Sequence, residues 1–214
     1  WMFSMSKLKS KFSRHDVEVC QRQAGYDGFL KVDKLRLKHK LVLGGWSEEM
    51  RREIQVKSAA IGILLLDPLR LEVVLVRQFR VGMIDEDQTP WLLELVAGMI
   101  EEGESPEDVA LRESEEEADC SPKNIIKIST YYGSPGTTNE KVHLFCGQVD
   151  ATKAGGVFGL DAEHEDIEVV VLSVAELYRA VESGLVNNAM TIIASFWLEK
   201  HLDATISEWL DKAC

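Results

Sequence analysis

Hydrophobic and polar positions in the first part of the chain follow the spacing of β-strands. Three leucines within residues 35–41 alternate with basic residues, which predicts a half-buried strand in a strand-rich segment ending at residue 57. The basic run 31–40 favours a solvated outer strand face over a phosphate-binding surface. Two apolar runs, 59–66 and 71–79, flank an Asp-Pro-Leu-Arg turn and predict a β-hairpin.

The later part of the chain mixes strand patterns with capped helices. Ser105 and the proline after it open one helix, and Ser173 with Glu176 caps a second helix that stops at Gly184. The apolar stretch 190–201 predicts a third helix. Further strands are expected at 91–97, 125–132, 142–149 and 167–172.

Strands with helices on both sides predict the α/β class, here an α/β/α sandwich with a mixed sheet. We assign this domain to residues 58–214. Residues 1–57 form a small N-terminal antiparallel β segment that is too short to bury its own apolar faces. With 214 residues and 45% hydrophobic content, the chain has enough material for one sizeable core.

The charge and the apolar runs of the sequence argue against nucleic-acid or membrane partners and against secretion. The net charge of −12 opposes binding to nucleic-acid phosphates or an anionic membrane, so we expect neither partner. The longest apolar runs, 58–66 and 190–198, are far shorter than the roughly 20 residues of a membrane span. The first residues lack the apolar stretch of a secretory signal. Trp1 before Met2 does not look like a natural start.

The cysteines show no metal-binding spacing, and we expect a reduced, cytoplasmic protein. The four thiols are Cys20, Cys120, Cys146 and Cys214. Cys120 is expected in the core rather than in catalysis.

The most informative stretch is an acidic helix that follows a loop between Gly98 and Gly103. At 100° per residue, Glu113, Glu116 and Glu117 lie within one arc of the helix surface. Like charges at this spacing repel one another, and a hard cation such as Mg²⁺ would relieve the repulsion. The alternative is an ordinary solvated acidic face. The position just after a glycine-bounded loop favours the metal site, and therefore phosphate chemistry.

The same stretch resembles the signature of a known family. A glycine, five residues, a glutamate, seven residues and then Arg-Glu-Ser-Glu-Glu-Glu, running from Gly98 to Glu117, are similar to the Nudix box. Two positions depart from the pattern: Asp119 stands where glycine is usual, and Ser114 where a small or aliphatic residue is usual. Since aspartate tolerates the left-handed conformation, we expect Asp119 to form a strained helix cap. The chain is identified as a member of the Nudix hydrolases.

The resemblance extends over nearly the whole chain and points to the branch that hydrolyses ADP-ribose. Pro135, fifteen residues after Cys120, matches a feature of that branch. The resemblance implies Mg²⁺-dependent hydrolysis of ADP-ribose to AMP and ribose 5-phosphate. The alternatives are a hydrolase of another sugar nucleotide, such as GDP-mannose, and a catalytically silent nucleotide or metal sensor.

The resemblance also implies a metal centre and a catalytic base. It assigns two or three Mg²⁺ ions, with Mn²⁺ as the alternative ion, to the Ala97 carbonyl, Glu113, Glu117 and Glu165. Glu163 and Glu116 are the expected catalytic residues, with Glu163 as the base and Glu116 close to the metals. The stretch 161–166 could instead be a polar surface turn. His164 is expected to be an exposed bystander.

The same resemblance implies substrate contacts and a homodimer. In that dimer, the N-terminal segment 1–57 is expected to be exchanged and to help build the partner's substrate site. The expected substrate-binding residues are Phe29, Leu30, Arg52, Glu53, Lys57, Arg80, Met99, Ser134, Gly136 and Glu140. Arg52 and Arg80 could equally form surface ion pairs, and Phe29 could belong to the core. Lys57 stands where relatives have arginine, which would weaken phosphate binding without abolishing it.

Overall fold

The computed structural model describes residues 8–160 and 164–211, which belong to two compact units. The first unit contains the chain up to Lys57 together with Ser134–Glu140. The second contains Ser58–Gly133 and the chain from Lys141 onward. The contribution of Ser134–Glu140 to the first unit was not foreseen from the sequence.

The first unit is a three-stranded antiparallel sheet, as predicted. Its strands are β1 (Val17–Asp27), β2 (Lys31–His39) and β3 (Met50–Val56), in the order β1-β2-β3. Almost every side chain of β1 is exposed, on both faces of the sheet. The predicted leucine strand corresponds to β2, although Leu41 lies beyond its end.

Residues 134–140 attach to the free side of β3. The backbone N–H of Gln55 donates to the Thr137 carbonyl (2.8 Å), and the Gln55 carbonyl accepts from the Asn139 N–H (3.4 Å). Gln55 and Thr138 form an isolated parallel bridge. The sheet is therefore extended by a short segment that lies far away along the chain.

The second unit contains a mixed sheet between helices, which confirms the predicted α/β fold. Its strands are β4 (Ala60–Asp67), β5 (Glu72–Phe79), β6 (Trp91–Glu94), β7 (Val96–Met99), β8 (Lys123–Tyr132), β9 (Lys141–Gln148), β10 (Gly156–Phe158) and β11 (Ile167–Ser173). Its helices are α1 (Pro106–Ala118), α2 (Val174–Glu182) and α3 (Ala189–Asp211). The strand order is β10-β11-β5-β4-β9-β8, with β6 paired to β5 and β7 to β4. The β4–β9 pair is parallel.

The core lies on both faces of β4, because successive side chains of a strand point in opposite directions. Ile61 and Ile63 pack with residues of α1, whereas Leu64 and Leu66 pack with residues of α2 and α3. All four are fully buried. A strand that is apolar on both faces is typical of the middle of a sandwich.

Two predicted elements differ from the structure. The strand expected at 91–97 is two strands, β6 and β7, separated at Leu95, because the first half pairs with β5 and the second with β4. The helix expected at 190–201 continues to Asp211. Its added turns bury Thr205 and Trp209, which are four residues apart and so share a helix face.

No helix within residues 8–160 and 164–211 is long and apolar enough to cross a membrane. Cys120 and Cys146 are buried free thiols and Cys20 is an exposed one.

Candidate active site

Helix α1 carries the acidic cluster, and its ends are set by local interactions. The Ser105 side chain accepts the backbone N–H of Asp108 (3.1 Å), and Pro106 occupies the first turn. Asp119 ends the helix in the left-handed conformation (φ 49°, ψ 39°), which confirms the expected strained cap. The buried small side chains of Ala110 and Ser114 let the helix lie close to the sheet.

The acidic arc of α1 is not a solvated face. Glu117 is only 3% exposed, whereas Glu115 points to solvent. The two carboxylate oxygens of Glu117 accept different donors. Its Oε2 accepts the Ala97 backbone N–H (3.1 Å), and its Oε1 lies 3.5 Å from the Gln78 side-chain amide nitrogen. Glu117 is therefore fixed between the helix and two strands.

Glu113 lies directly against the backbone of Gly98. A Cβ atom at position 98 would overlap the Glu113 carboxylate. A residue larger than glycine at position 98 would displace the Glu113 carboxylate, which accounts for the place of glycine in the motif.

Arg112 connects three of the carboxylates. Its Nη1 lies 2.9 Å from both Glu113 Oε1 and Glu116 Oε2, and its Nε donates to Glu104 Oε1 (3.2 Å). Burial alone would lower the pKa of Arg112, but Glu113 and the other two carboxylates raise it above its ordinary value. The guanidinium offsets part of the repulsion along the helix.

Two carboxyl groups nevertheless hold their protons unusually strongly. Burial raises the pKa of Glu117 to about 8, even though the Ala97 N–H opposes the shift. Burial also raises the pKa of Glu113 to about 7, against the effect of Arg112. The negative charge of Glu165 raises both pKa values further, so Glu165 lies within electrostatic reach of the pair. Carboxyl groups are therefore crowded here, and burial disfavours the charged forms of two of them.

Glu165 is hydrogen-bonded to Leu160 in two ways. Its carboxylate accepts the Leu160 N–H (3.1 Å), and its own N–H donates to the Leu160 carbonyl (3.3 Å). The neighbouring Glu163, the expected catalytic base, lies outside the described residues. His164 is exposed, as expected, with a left-handed backbone (φ 56°).

The donor chemistry of this cluster fits a hard divalent cation. Glu113, Glu117 and Glu165 supply carboxylate oxygens, and Ala97 brings backbone polar groups to the same place. A cation would replace the protons that burial favours on the two helix carboxyls. Within the described ranges, no three acidic, histidine or cysteine side chains are already arranged as a metal-binding group. Arg112 instead contacts one oxygen each of Glu113 and Glu116.

Two other predicted site residues lie in the second unit. Arg80 donates from Nε to Glu94 Oε2 (2.6 Å), so it does form an ion pair, and its charge lowers the pKa of Glu117 slightly. Arg80 is therefore also near the cluster. Met99, at the end of β7, is mostly exposed.

The remaining predicted residues belong to the first unit. Phe29 and Leu30 form the tip of the β1–β2 hairpin, and Phe29 is 97% exposed, so the core alternative is wrong. Arg52 and Glu53 are consecutive residues of β3, so their side chains leave opposite faces of the sheet. Arg52 donates to the Arg51 carbonyl (2.7 Å), and it forms no ion pair with a carboxylate of the described residues.

Lys57 is brought together with the 134–140 segment. Its ammonium forms an ion pair with Glu140, and its backbone N–H donates to Asn139 Oδ1 (2.8 Å). The Ser134 carbonyl accepts the backbone N–H groups of Thr137 and Thr138 (3.0 Å each), which shapes the turn that contains Gly136. Four predicted residues, 57, 134, 136 and 140, thus share one small region.

Gln78 was missed by the sequence reasoning. It lies on β5 two residues after Val76, at a position where the alternation calls for an apolar side chain. A polar residue in such a pattern is the signal that could have identified it.

Comparisons with known proteins agree with this geometry. The family model described as NUDIX domain matches residues 56–191. The chain is 45% identical over 208 residues to an ADP-ribose pyrophosphatase of Escherichia coli (strain K12), covering 97% of this chain and all of the relative. An ADP-ribose pyrophosphatase of Haemophilus influenzae is 40% identical over 212 residues, covering 98% and 97%. A GDP-mannose pyrophosphatase of Cronobacter sakazakii is 31% identical over 148 residues, covering 67% and 74%.

Among solved structures, an ADP compounds hydrolase superposes with a TM-score of 0.70, covering 89% of this chain and 96% of that one. Its sequence identity of 18% makes this a likeness of fold alone.

Proposed function

The chain belongs to the Nudix family, and we propose that it is a metal-dependent ADP-ribose pyrophosphatase that releases AMP and ribose 5-phosphate. Similarity over nearly the full length to ADP-ribose pyrophosphatases supports the substrate. The relatives named for GDP-mannose are more distant and cover less of the chain. In the structure, the observation that carries the proposal is the carboxylate cluster on α1, in which Glu117 is buried and Glu113 and Glu116 are partly exposed. This cluster provides a place for a divalent ion beside a phosphate group.

We propose that the Ala97 carbonyl, Glu113, Glu117 and Glu165 hold two or three divalent ions, Mg²⁺ or Mn²⁺, with Glu116 close by. When bound, such ions neutralise pyrophosphate charge and make a bound water more acidic. The raised pKa values of Glu113 and Glu117 support this assignment, since burial disfavours their charged forms and a bound cation would offset that cost.

The chain's own residues then position and deprotonate the reacting groups. Glu163 accepts a proton from the attacking water, in the role of general base. The water oxygen bonds to the adenosyl phosphorus, the bond from that phosphorus to the bridging oxygen breaks, and the bridging oxygen leaves with ribose 5-phosphate. Arg112 keeps Glu113 and Glu116 in place through its ion pairs.

The proposed substrate contacts are given for each unit by itself. In the second unit, Arg80 and Met99 are proposed to contact the substrate. In the first unit, the proposed contacts are Phe29, Leu30, Arg52, Glu53, Lys57, Ser134, Gly136 and Glu140. The ring of Phe29 is almost fully exposed, which supports a stacking role because the ring is accessible to a base.

We also propose a homodimer. The β1–β2–β3 sheet exposes β1 on both faces, an arrangement that is marginal for a sheet alone in water. The first unit carries 13 Lys and Arg against 8 Asp and Glu, whereas the second carries 11 against 28. A second copy therefore offers acidic surface complementary to this basic sheet.

One assay panel tests the function. ADP-ribose, GDP-mannose and ADP-glucose are incubated with the protein, with and without Mg²⁺, and the products are separated by chromatography. We expect AMP from ADP-ribose, only with metal and with the highest kcat/KM of the three. In H₂¹⁸O, the label should enter AMP. A higher kcat/KM for GDP-mannose would assign the alternative substrate, and no turnover of any substrate would indicate a silent sensor.

A further inference from the structure

Gln78 is a polar residue on an apolar face of the sheet. Val74 and Val76 precede it at two-residue spacing, and both are fully buried in the core cluster that includes α1 residues. Gln78 is itself only 7% exposed. Burying an amide group costs stability unless the group is hydrogen-bonded, so a buried glutamine at this position is expected to have a hydrogen-bond partner.

The polar partner that the structure gives to Gln78 is Glu117. The Gln78 amide nitrogen lies 3.5 Å from Glu117 Oε1, and the Ala97 N–H donates to Glu117 Oε2 (3.1 Å). Each carboxylate oxygen thus faces one donor. An ionised carboxylate has about four acceptor positions, so both oxygens keep lone pairs for a cation.

We propose that Gln78 is a positioning residue that holds the Glu117 carboxylate in its metal-binding orientation. The inference rests on the proposed function. With a donor on each oxygen, the carboxylate plane is fixed from the β5 side and the β7 side at once. The Ala97 donor is a backbone N–H, which no side-chain substitution removes. The Gln78 amide is the donor that a substitution can remove.

The expected effect is on metal affinity. Residues that orient a metal ligand typically contribute 10- to 100-fold to affinity. Because 3.5 Å is long for a hydrogen bond, we expect the lower end, about a tenfold increase in the dissociation constant. The KM for ADP-ribose at saturating metal should stay unchanged, since Gln78 acts through Glu117 and not on the substrate.

The test measures Mn²⁺ binding to the full chain by the electron paramagnetic resonance of free Mn²⁺. Gln78→Leu and Gln78→Met remove the donor at similar volume, and thermal unfolding in EDTA checks that each is folded. The methionine side chain is unbranched and flexible like that of glutamine, so Gln78→Met is measured if Gln78→Leu does not fold. Val74→Ala is the matched control, because it damages the same face of β5 without touching the donor.

We expect a tenfold weaker Mn²⁺ affinity in the Gln78 variants and wild-type affinity in Val74→Ala, despite its lower melting temperature. Affinity within twofold of wild type in the Gln78 variants, or equal weakening in Val74→Ala, would overturn the positioning role. Glu117→Gln separates this inference from the proposed function. If that variant binds Mn²⁺ like wild type, the metal assignment itself fails, whatever the Gln78 variants do.

Discussion

Replacing Glu117 by glutamine should stabilise the protein when divalent metals are removed. The side chain is almost completely buried, and its pKa of about 8 stands well above its ordinary value of 4.5. At about 1.4 kcal/mol for each tenfold change in acidity, ionising this carboxyl in the folded protein costs at most about 5 kcal/mol. Glutamine has a similar shape but no charge, so the folded variant does not carry the free-energy cost of an ionised buried carboxyl.

The pH dependence has a definite sign. Between pH 4.5 and about 8, the folded protein retains the Glu117 proton while the unfolded chain has lost it. The unfolded state then binds fewer protons, so the free energy of unfolding falls as the pH rises through this window. Below pH 4.5 both states are protonated, and this contribution to stability is fully present.

The assay is urea unfolding in EDTA at several pH values from 4.5 to 8.5. The gap in unfolding free energy between Glu117→Gln and wild type should be smallest at pH 4.5. It should grow towards a few kcal/mol above pH 8. Glu115→Gln on the exposed side of α1 is the matched control and should show little change. Mg²⁺ should stabilise wild type more than Glu117→Gln. A gap that stays constant with pH would refute the reasoning.

Three further predictions concern activity. Glu113→Gln should lower kcat by several orders of magnitude at saturating Mg²⁺ with the fold intact; near-normal turnover in steady-state assays would remove Glu113 from the metal site. Glu163→Gln should lower kcat strongly at nearly constant KM; if Glu116→Gln is the more damaging change, the base lies on α1 instead. Phe29→Ala should raise the KM for ADP-ribose roughly 5- to 150-fold with kcat retained, from a stacking energy of about 1–3 kcal/mol. Mixed dimers of Phe29→Ala and Glu113→Gln chains should regain activity, because one site then carries both defects and the other neither. No regained activity in verified mixed dimers, or a monomer by light scattering, would contradict a site shared between copies.

Local patterns in the sequence were sufficient for most elements of the second unit. The hairpin of β4 and β5 follows from two apolar runs around one turn, and α1 follows from Ser105 and Pro106. The helical spacing also places Glu117 and Glu115 on different faces of α1. In the structure the first is buried and the second exposed.

Features that depend on distant pairing were not predictable in this way. The segment 91–97 divides into two strands because its first half pairs with β5 and its second half with β4. The seven residues themselves do not indicate which strand each half will pair with. The attachment of residues 134–140 joins positions such as Lys57 and Asn139, which are 82 residues apart. Gln78 pairs with a glutamate 39 residues away, so its role was visible only as a break in an apolar pattern.

The attachment of Ser134–Glu140 to β3 also has a consequence for how the chain is synthesised. The first unit needs hydrogen bonds between Gln55 and a segment beyond residue 133, so it cannot be completed until roughly two thirds of the chain has left the ribosome. Contacts of such long sequence separation slow folding, because the intervening loop must be closed first. Until then, β3 has an unpaired edge of the kind that pairs with other chains. During synthesis of residues 58–133, the exposed edge of β3 can therefore pair with other chains and the sheet can misassemble.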